Sequence, residues 1–392
     1  MEGDFIKINE GLLPLSWLYG LAVKTRNFCF DVGLLRSRSF HVPVISVGNI
    51  TVGGTGKTPH VEYLIRLLQK HYKVAVLSRG YKRKTKGYIV ADENATARTI
   101  GDEPFQVKQK FPEATVAVCK KRTEGIDRLT LDDRELDVVL LDDAFQHRYV
   151  KPGINILLVD YHRLIIYDKL LPAGRLREPL NGKNRADIVI VTKCPKELKP
   201  MEFRVITKAM NLFPYQHLYF TTLSYDKPYP VFDGEQTDLS RQEGAHVMLL
   251  TCIASPRQLQ EDIVGLLPES AVVSPVTFSD HHSFSEKDVD MLNSQFASMP
   301  QPRLVITTEK DAARLRDTDG LSPEFRKAVH ALPVRIDFMQ EGQQEMFDES
   351  IMGYVLKNSR NSILAKGKEK TQPVKKKNDT DDGPKKVTIS FK

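Results

Sequence analysis

The run Gly48-Asn49-Ile50-Thr51-Val52-Gly53-Gly54-Thr55-Gly56-Lys57-Thr58-Pro59 constrains this chain more than any other feature. It follows a β-branched stretch, Val42 to Val47, and opens a segment in which Val61, Leu64, Ile65, Leu67 and Leu68 recur at helical spacing. Strand, glycine-rich loop, helix is the setting of a P-loop. Glycines let backbone N–H groups turn inward around phosphate oxygens with no Cβ in the way. Lys57 then reaches the β/γ-phosphates, the Thr58 hydroxyl is placed to ligate Mg²⁺, and the helix N-terminus adds partial positive charge. Thr51 stands where the strict pattern has its first glycine. The alternative is a turn that merely joins strand to helix. Gly-Lys-Thr directly after a clean strand favours a nucleoside triphosphate site.

The rest of the chain fits that frame. Candidate strands fall at 43–47, 73–78, 87–91, 115–118, 137–141, 154–159 and 187–193, with helical patterns at 58–70, 102–110 and 120–130. This rhythm predicts an α/β fold with a largely parallel sheet, helices on both faces, and ligands at the carboxyl ends of the strands. Around 217–245 two extended pieces flank a Pro-rich polar stretch. A second α/β rhythm resumes at 246, with helices at 256–267 and 285–297 and strands at 271–276, 303–308 and 333–338. The expected organisation is a nucleotide-binding domain at 1–224, a short β linker at 225–245, a second α/β domain at 246–356 and a tail at 357–392.

Composition matters chiefly through that tail. The 392-residue chain carries a net charge of +7, and Lys357–Lys392 holds 11 basic and 4 acidic residues, which is the whole excess. The remainder is neutral, so no nucleic-acid surface is expected. The tail has few large apolar residues and is expected to stay disordered, because it cannot offset the entropy of ordering. The four cysteines show neither paired nor metal-ligand spacing, which argues against a disulfide framework or a zinc site. No apolar run reaches the ~18–20 residues of a membrane span, and the acidic Met1-Glu2-Gly3-Asp4 does not read as a signal peptide. Residues 12–35 mix Leu12, Leu13, Leu15, Trp17, Leu18, Leu21 and Phe28 with Lys24 and Arg26. Such a helix suits either a membrane interface or packing on the domain.

Several further clusters bear reactive groups. Asp137 to Leu141 is an apolar strand ending in Asp142 and Asp143, the arrangement that holds Mg²⁺ beside a P-loop. Gly101-Asp102-Glu103-Pro104 begins a helix with ordinary capping chemistry, yet Asp102 could also accept a proton from an attacking hydroxyl. Ser78-Arg79-Gly80-Tyr81-Lys82-Arg83-Lys84 follows a strand with dense positive charge. Leu171 to Pro179 presents Arg175 and Arg177, guanidinium groups suited to phosphate. Asp280-His281-His282 suggests a histidine oriented by a carboxylate rather than a metal centre. In Val191-Thr192-Lys193-Cys194-Pro195 a proline stands where a guanine-reading aspartate would be, which disfavours GTP.

In order along the chain, Gly48–Pro59, Ser78–Tyr81, Gly101–Pro104, Asp142–His147, Leu171–Pro179, Asp280–His282 and Thr308–Asp311 resemble the tetraacyldisaccharide 4′-kinase family of lipid A synthesis. The resemblance runs from about residue 11 to 350. It implies transfer of the ATP γ-phosphoryl group to the 4′-hydroxyl of a tetraacylated glucosamine disaccharide 1-phosphate. It also implies two α/β/α domains around a cleft, and a peripheral protein on the cytoplasmic face of the inner membrane. Carried over residue by residue, Lys57, Thr58, Asp142 and Asp143 would serve phosphates and metal. Asp102 would act as base supported by His281, with Arg177 also catalytic. Arg79, Tyr81, Arg122, Gln146, His147 and Glu178 would line the phosphoryl or substrate region. Leu12–Phe30 becomes a membrane-docking helix. Ala144 and Lys82 depart from glycines usual in the family. The competing reading is a P-loop nucleotide-switch or partitioning-type ATPase, which shares the P-loop and paired aspartates but needs neither Asp280-His281 nor a lipid-facing helix.

Overall fold

The computed structural model describes residues 6, 8–253, 256–280 and 282–359. The expected tail from 360 onward lies outside these residues, as does His281. The β-branched runs become strands buried on both faces, which is why they are apolar without alternation. In chain order they are β1 (Val44–Gly48), β2 (Val74–Ser78), β3 (Ile89–Val90), β4 (Thr115–Val118), β5 (Val138–Asp142), β6 (Ile154–Asp160), β7 (Ile188–Thr192) and β8 (His217–Tyr225). Then follow β9 (Tyr229–Pro230), β10 (His246–Thr251), β11 (Val272–Thr277), β12 (Arg303–Thr308), β13 (Val329–Leu332) and β14 (Val334–Phe338). The α-helices are α1 (Leu13–Asp31), α2 (Lys57–Leu68), α3 (Ala97–Ile100), α4 (Asp102–Lys110), α5 (Arg122–Asp132), α6 (Pro200–Met210), α7 (Arg257–Leu266), α8 (Glu286–Ser298), α9 (Glu309–Arg316), α10 (Pro323–Ala328) and α11 (Gln343–Asn358).

Two sheets form. The larger has the order β14-β8-β7-β6-β1-β5-β2-β4-β3, and the smaller β11-β10-β12-β13-β9. Strand β1 lies between β5 and β6, all parallel, with Val47 opposite Asp142. The P-loop and the paired aspartates therefore leave neighbouring strands at the same sheet edge. Segment 246–356, expected as one domain, is divided between the sheets. Strand β14 pairs antiparallel with β8, and α11 packs Phe347, Ile351 and Val355 into the core of the larger sheet. The chain thus crosses between sheets twice, after β8 and after β13, and the Asp226 N–H donates to the Pro333 carbonyl where the crossings meet.

Side-chain alternation decides what covers each face. Ile45 and Val47 join Val61, Leu64, Ile65 and Leu68 of α2 in one core. The opposite face carries two separate clusters. Val44, Leu77 and Leu141 pack on Ile126 and Leu129, and Val159, Val191 and Phe220 pack on Ile206 and Met210. Between them the central strands present Ser46 and Asn155, directly opposite in register. In the smaller sheet Leu250 and Val305 meet Leu292 and Phe296, while Leu249 and Ile306 meet Leu259 and Ile263.

Helix α1 packs through small residues. The Ser16 hydroxyl donates to the Leu170 carbonyl at 3.0 Å and accepts from the Ala173 N–H at 3.0 Å. A Cβ at Gly20 would come within 2.8 Å of Leu170. Its large apolar residues point away: Trp17 is 72% exposed, and Leu18, Leu21 and Phe28 are also exposed. Among the described residues no helix is long and apolar enough to cross a membrane.

Candidate active site

The P-loop is held from several sides. Gly53 and Gly56 take φ of 119° and 76°, a region that strains any residue with a Cβ. Gly56 is the residue from which α2 starts. Asn49 donates to the Thr55 hydroxyl at 2.7 Å, and the Val52 N–H donates to the Arg175 carbonyl at 2.8 Å. Thr51, in the place of the first glycine, is buried and pairs with Leu176. Lys193, at the end of β7, donates to the Gly54 carbonyl and to Asp160 at 2.8 Å. Its segment resembles half a nucleotide-reading motif, and its position is that of a loop clamp. His60 fixes the first turn of α2. Its Nδ1 donates to the Gly56 carbonyl at 2.7 Å, which leaves Nε2 to accept from the Thr221 hydroxyl at 3.1 Å.

Lys57 lies 3.7 Å from Asp143, and Arg177 lies 3.4 Å from the same oxygen while donating to Asn49. Asp143 adopts φ 48°, so the tight left-handed residue of this turn precedes Ala144 rather than being it. Lys82, the other departure from glycine, also takes a left-handed φ of 57°. Burial works to raise the Asp143 carboxyl, but Lys57 and Arg177 outweigh it and hold the group below its ordinary value.

Asp142 is different. It is buried, with Oδ2 accepting from the Ser78 hydroxyl at 3.3 Å and Oδ1 without a partner among the described residues. Burial, then Glu103 and Asp143, push it up to about 7. A buried carboxylate with an unused oxygen, in a negative local field, fits a divalent cation. Among the described residues no group of three or more His, Cys, Asp or Glu could hold a metal alone. Mg²⁺ keeps waters and phosphate oxygens in its shell and is commonly held by one or two carboxylates.

A cavity of about 230 Å³ opens between the P-loop and the smaller sheet. Lys57, Thr58 and Glu103 line one side; Ile253, Gln258 and Leu259 line the other. The Gln258 Oε1 is buried without a partner among the described residues. Lys310 spans the gap, 3.7 Å from Glu103 and 3.5 Å from Asp280. Deeper, Lys110 sits 2.7 Å from both Glu62 and Glu309, so one ammonium ties α2 to α9. Asp102 lines a neighbouring recess with Lys82 and Lys84, and its carboxylate is bound by Arg314.

Some expected site residues are turned elsewhere. Arg122 is buried, donating to the Cys119 and Asp142 carbonyls at 2.9 and 3.1 Å. Burial lowers it to about 10. It supports the aspartate turn from behind rather than facing an open surface. Glu178 is also buried, accepting from Arg185 at 2.8 Å and from Asn27 of α1 at 3.4 Å. His147 lines a separate cavity with Ser46, and the Gln146 carbonyl accepts from Arg26 at 3.2 Å. Arg79 and Tyr81 are exposed at the same sheet edge as the P-loop. Glu103, Lys193, Gln258, Lys310 and Arg314 had no individual role in the sequence reading. Glu103, Lys193 and Lys310 left a signal there only as members or neighbours of motifs.

A family model described as tetraacyldisaccharide-1-P 4′-kinase matches residues 8–352. A tetraacyldisaccharide 4′-kinase of Phocaeicola vulgatus is 54% identical over 367 residues, covering 92% of this chain and 99% of the relative. One from Bacteroides thetaiotaomicron is 50% identical over 376 residues, covering 93% and 98%. Among solved structures, an "apo" form LpxK from Aquifex aeolicus in complex with ATP superposes with a TM-score of 0.67 at 28% identity, covering 88% of this chain and 98% of that one.

Proposed function

This chain belongs to the tetraacyldisaccharide 4′-kinase family, and from that membership we infer that it transfers the ATP γ-phosphoryl group to the 4′-hydroxyl of a tetraacylated disaccharide 1-phosphate, a step of lipid A biosynthesis. The observation that carries the site assignment is the sharing of Asp143 by Lys57 and Arg177 at the mouth of a strapped P-loop. An ammonium and a guanidinium held at one point suit a triphosphate whose terminal group is leaving. The apolar slot of Ile253 and Leu259 would take the base, with Gln258 as its polar contact.

Phosphoryl transfer asks the protein mainly for position and charge neutralisation. Lys57 and the loop N–H groups would hold the β/γ-phosphates. Thr58, Asp142 and Asp143 would hold Mg²⁺, which would supply charge neutralisation for the phosphates. Arg177 would meet charge developing on the transferred group. Asp102 would take the acceptor hydroxyl's proton, and His281 would support it from the smaller-sheet unit. In the conformation described, Arg314 holds Asp102 beside the P-loop cavity, so the two units must adjust before the carboxylate meets a hydroxyl. Such closure would also exclude water.

The acceptor is a lipid, and α1 offers a way to meet it. Trp17, Leu18, Leu21 and Phe28 form an outward apolar face on a helix that carries Lys24 and Arg26 and is followed by Arg36 and Arg38. This face would dock on the membrane surface without spanning it, placing the protein peripherally on the inner membrane's cytoplasmic side. The two sheets would act as lobes around the cleft. Purified protein with radiolabelled ATP and the acylated disaccharide 1-phosphate in detergent should yield labelled lipid. Free phosphate without labelled lipid would favour a nucleotide switch instead.

A further inference from the structure

A second cavity, of about 550 Å³, lies on the face of the larger sheet opposite α2. It fills the gap between the clusters covered by α5 and α6. Its floor is the cross-strand pair Ser46 and Asn155, and His147 lines its wall. Three polar atoms here, Ser46 Oγ, Asn155 Oδ1 and His147 Nε2, are buried without partners among the described residues. Ser46 is 1% exposed and Asn155 8%. Buried polar groups in native folds find partners, since leaving one unpaired forfeits its hydration. Three in one cavity mark a place built for a hydrogen-bonding occupant.

We propose that this cavity is a binding site for an uncharged polyhydroxyl ring of hexose size, separate from the nucleotide cleft. Asn155 Oδ1 accepts and the Ser46 hydroxyl both donates and accepts, so they match vicinal hydroxyls or a hydroxyl beside an amide N–H. The half-buried arginines of the wall are already matched, Arg148 with Asp31 at 2.5 Å and Arg185 with Glu178 at 2.8 Å, and the other charged lining residues, Lys151 and Asp187, are exposed. A charged ligand would lose hydration at depth with no counter-ion to replace it. Burial, reinforced by nearby arginines, lowers His147 to about 4 and keeps its ring neutral. Phe40 and Phe145 supply apolar surface for the C–H face of a ring. The site touches the catalytic strands from behind, because Ser46 precedes the P-loop on β1 and Ala144 follows the paired aspartates. An occupant would stiffen both.

The test uses full-length protein in detergent, with glucose and N-acetylglucosamine as probes, read by saturation-transfer NMR and calorimetry. Saturable binding is expected, at least about tenfold weaker in Asn155→Leu and in Ser46→Ala, the loss expected for one or two hydrogen bonds. It should persist under a saturating non-hydrolysable ATP analogue. Ser46→Ala removes one oxygen only, so it keeps the test open should Asn155→Leu fold poorly. No saturable binding of either probe, meaning that the cavity holds water alone, overturns the proposal. So does binding that survives both substitutions, or that the ATP analogue displaces. None of these outcomes touches the kinase reading, which lipid labelling decides.

Discussion

Asp102 of α4 and Arg314 of α9 are joined across the two sheets, with Arg314 Nε and Nη2 both directed at Asp102 Oδ2 and Nη1 bound to Asp311 at 3.0 Å. Asp311 is wholly buried, accepting from the Cys252 N–H and the Thr308 hydroxyl. The guanidinium is therefore anchored on one unit and holds a carboxylate of the other. A carboxylate so held is oriented, yet it must loosen before it can take a proton.

Arg314→Gln is expected to lower kcat by about 10–100-fold, in the range of losing charge-assisted positioning of a general base, with KM for ATP little changed. Asp102→Ala should remove nearly all turnover while nucleotide binding persists. Steady-state kinetics with calorimetric ATP titration checks both. Near-wild-type turnover of Asp102→Ala would remove the proposed base.

Lys57→Ala should cost about 10²–10³ in kcat, the usual loss when a group meeting transition-state charge is removed. The melting temperature should barely move, because Lys57 sits at the cavity rather than in a core. Labelled lipid produced at wild-type rate by this variant would displace the site from the P-loop.

His60 predicts a pH signature in stability rather than in rate. Burial lowers it from 6.5 to about 4, against a smaller raising effect of the Gly56 carbonyl. Above pH 6.5 both folded and unfolded states hold the ring neutral, so stability is full. Between 6.5 and about 4 the unfolded chain binds a proton that the folded chain refuses, and stability falls as pH falls through that window. The loss from this group amounts to roughly 3 kcal/mol. Denaturant unfolding from pH 7 to 4 should show it, and His60→Gln should flatten that part of the curve.

Glu178→Ala is expected to act on stability. It strips the partner from Arg185, which burial already lowers. Leaving a buried charge unpaired costs about 3–5 kcal/mol. Thermal melts should fall clearly, while turnover measured well below the new melting point should stay within a few-fold of wild type. A large kcat loss at unchanged stability would return Glu178 to the reaction region.

Replacing Trp17, Leu18, Leu21 and Phe28 with serine should abolish co-sedimentation with anionic vesicles. Each large side chain entering an apolar phase contributes about 1.5–3 kcal/mol. Turnover on substrate dispersed in detergent should survive, because the helix is fixed by Ser16, Gly20 and Tyr19 on its other side. Unchanged vesicle binding would assign that face to another purpose.

Much of this was legible in the chain because local rules and tertiary demands agree. The strands of the larger sheet are apolar throughout, so Val44, Val138 and Ile188 announce themselves. The return of β14 to β8 was not legible. Val334 to Phe338 reads as a strand in either sheet, and pairing across about a hundred residues leaves no local mark. Helices α6 and α11 escaped for a related reason: Phe347, Ile351 and Val355 are sparse among polar residues and meaningful only against a distant core. In the site, Lys57, Asp142 and Asp143 stand in recognisable patterns. Arg122 and Glu178 also stand in patterns, but whether a guanidinium or carboxylate faces a ligand or braces a turn depends on what covers it. Arg314 gave no signal, and the motif around Lys193 did not show its clamp on Gly54, because each acts on a partner far away in sequence.

The double passage between sheets has a mechanical consequence. A unit hung on one strand can swivel freely, whereas one hung on two adjacent pins, with Asp226 fastened to Pro333 between them, swings like a door about a single axis. A closure that brought Asp280 and Lys310 toward a bound triphosphate would then follow one arc. The smaller unit would arrive in the same register each time.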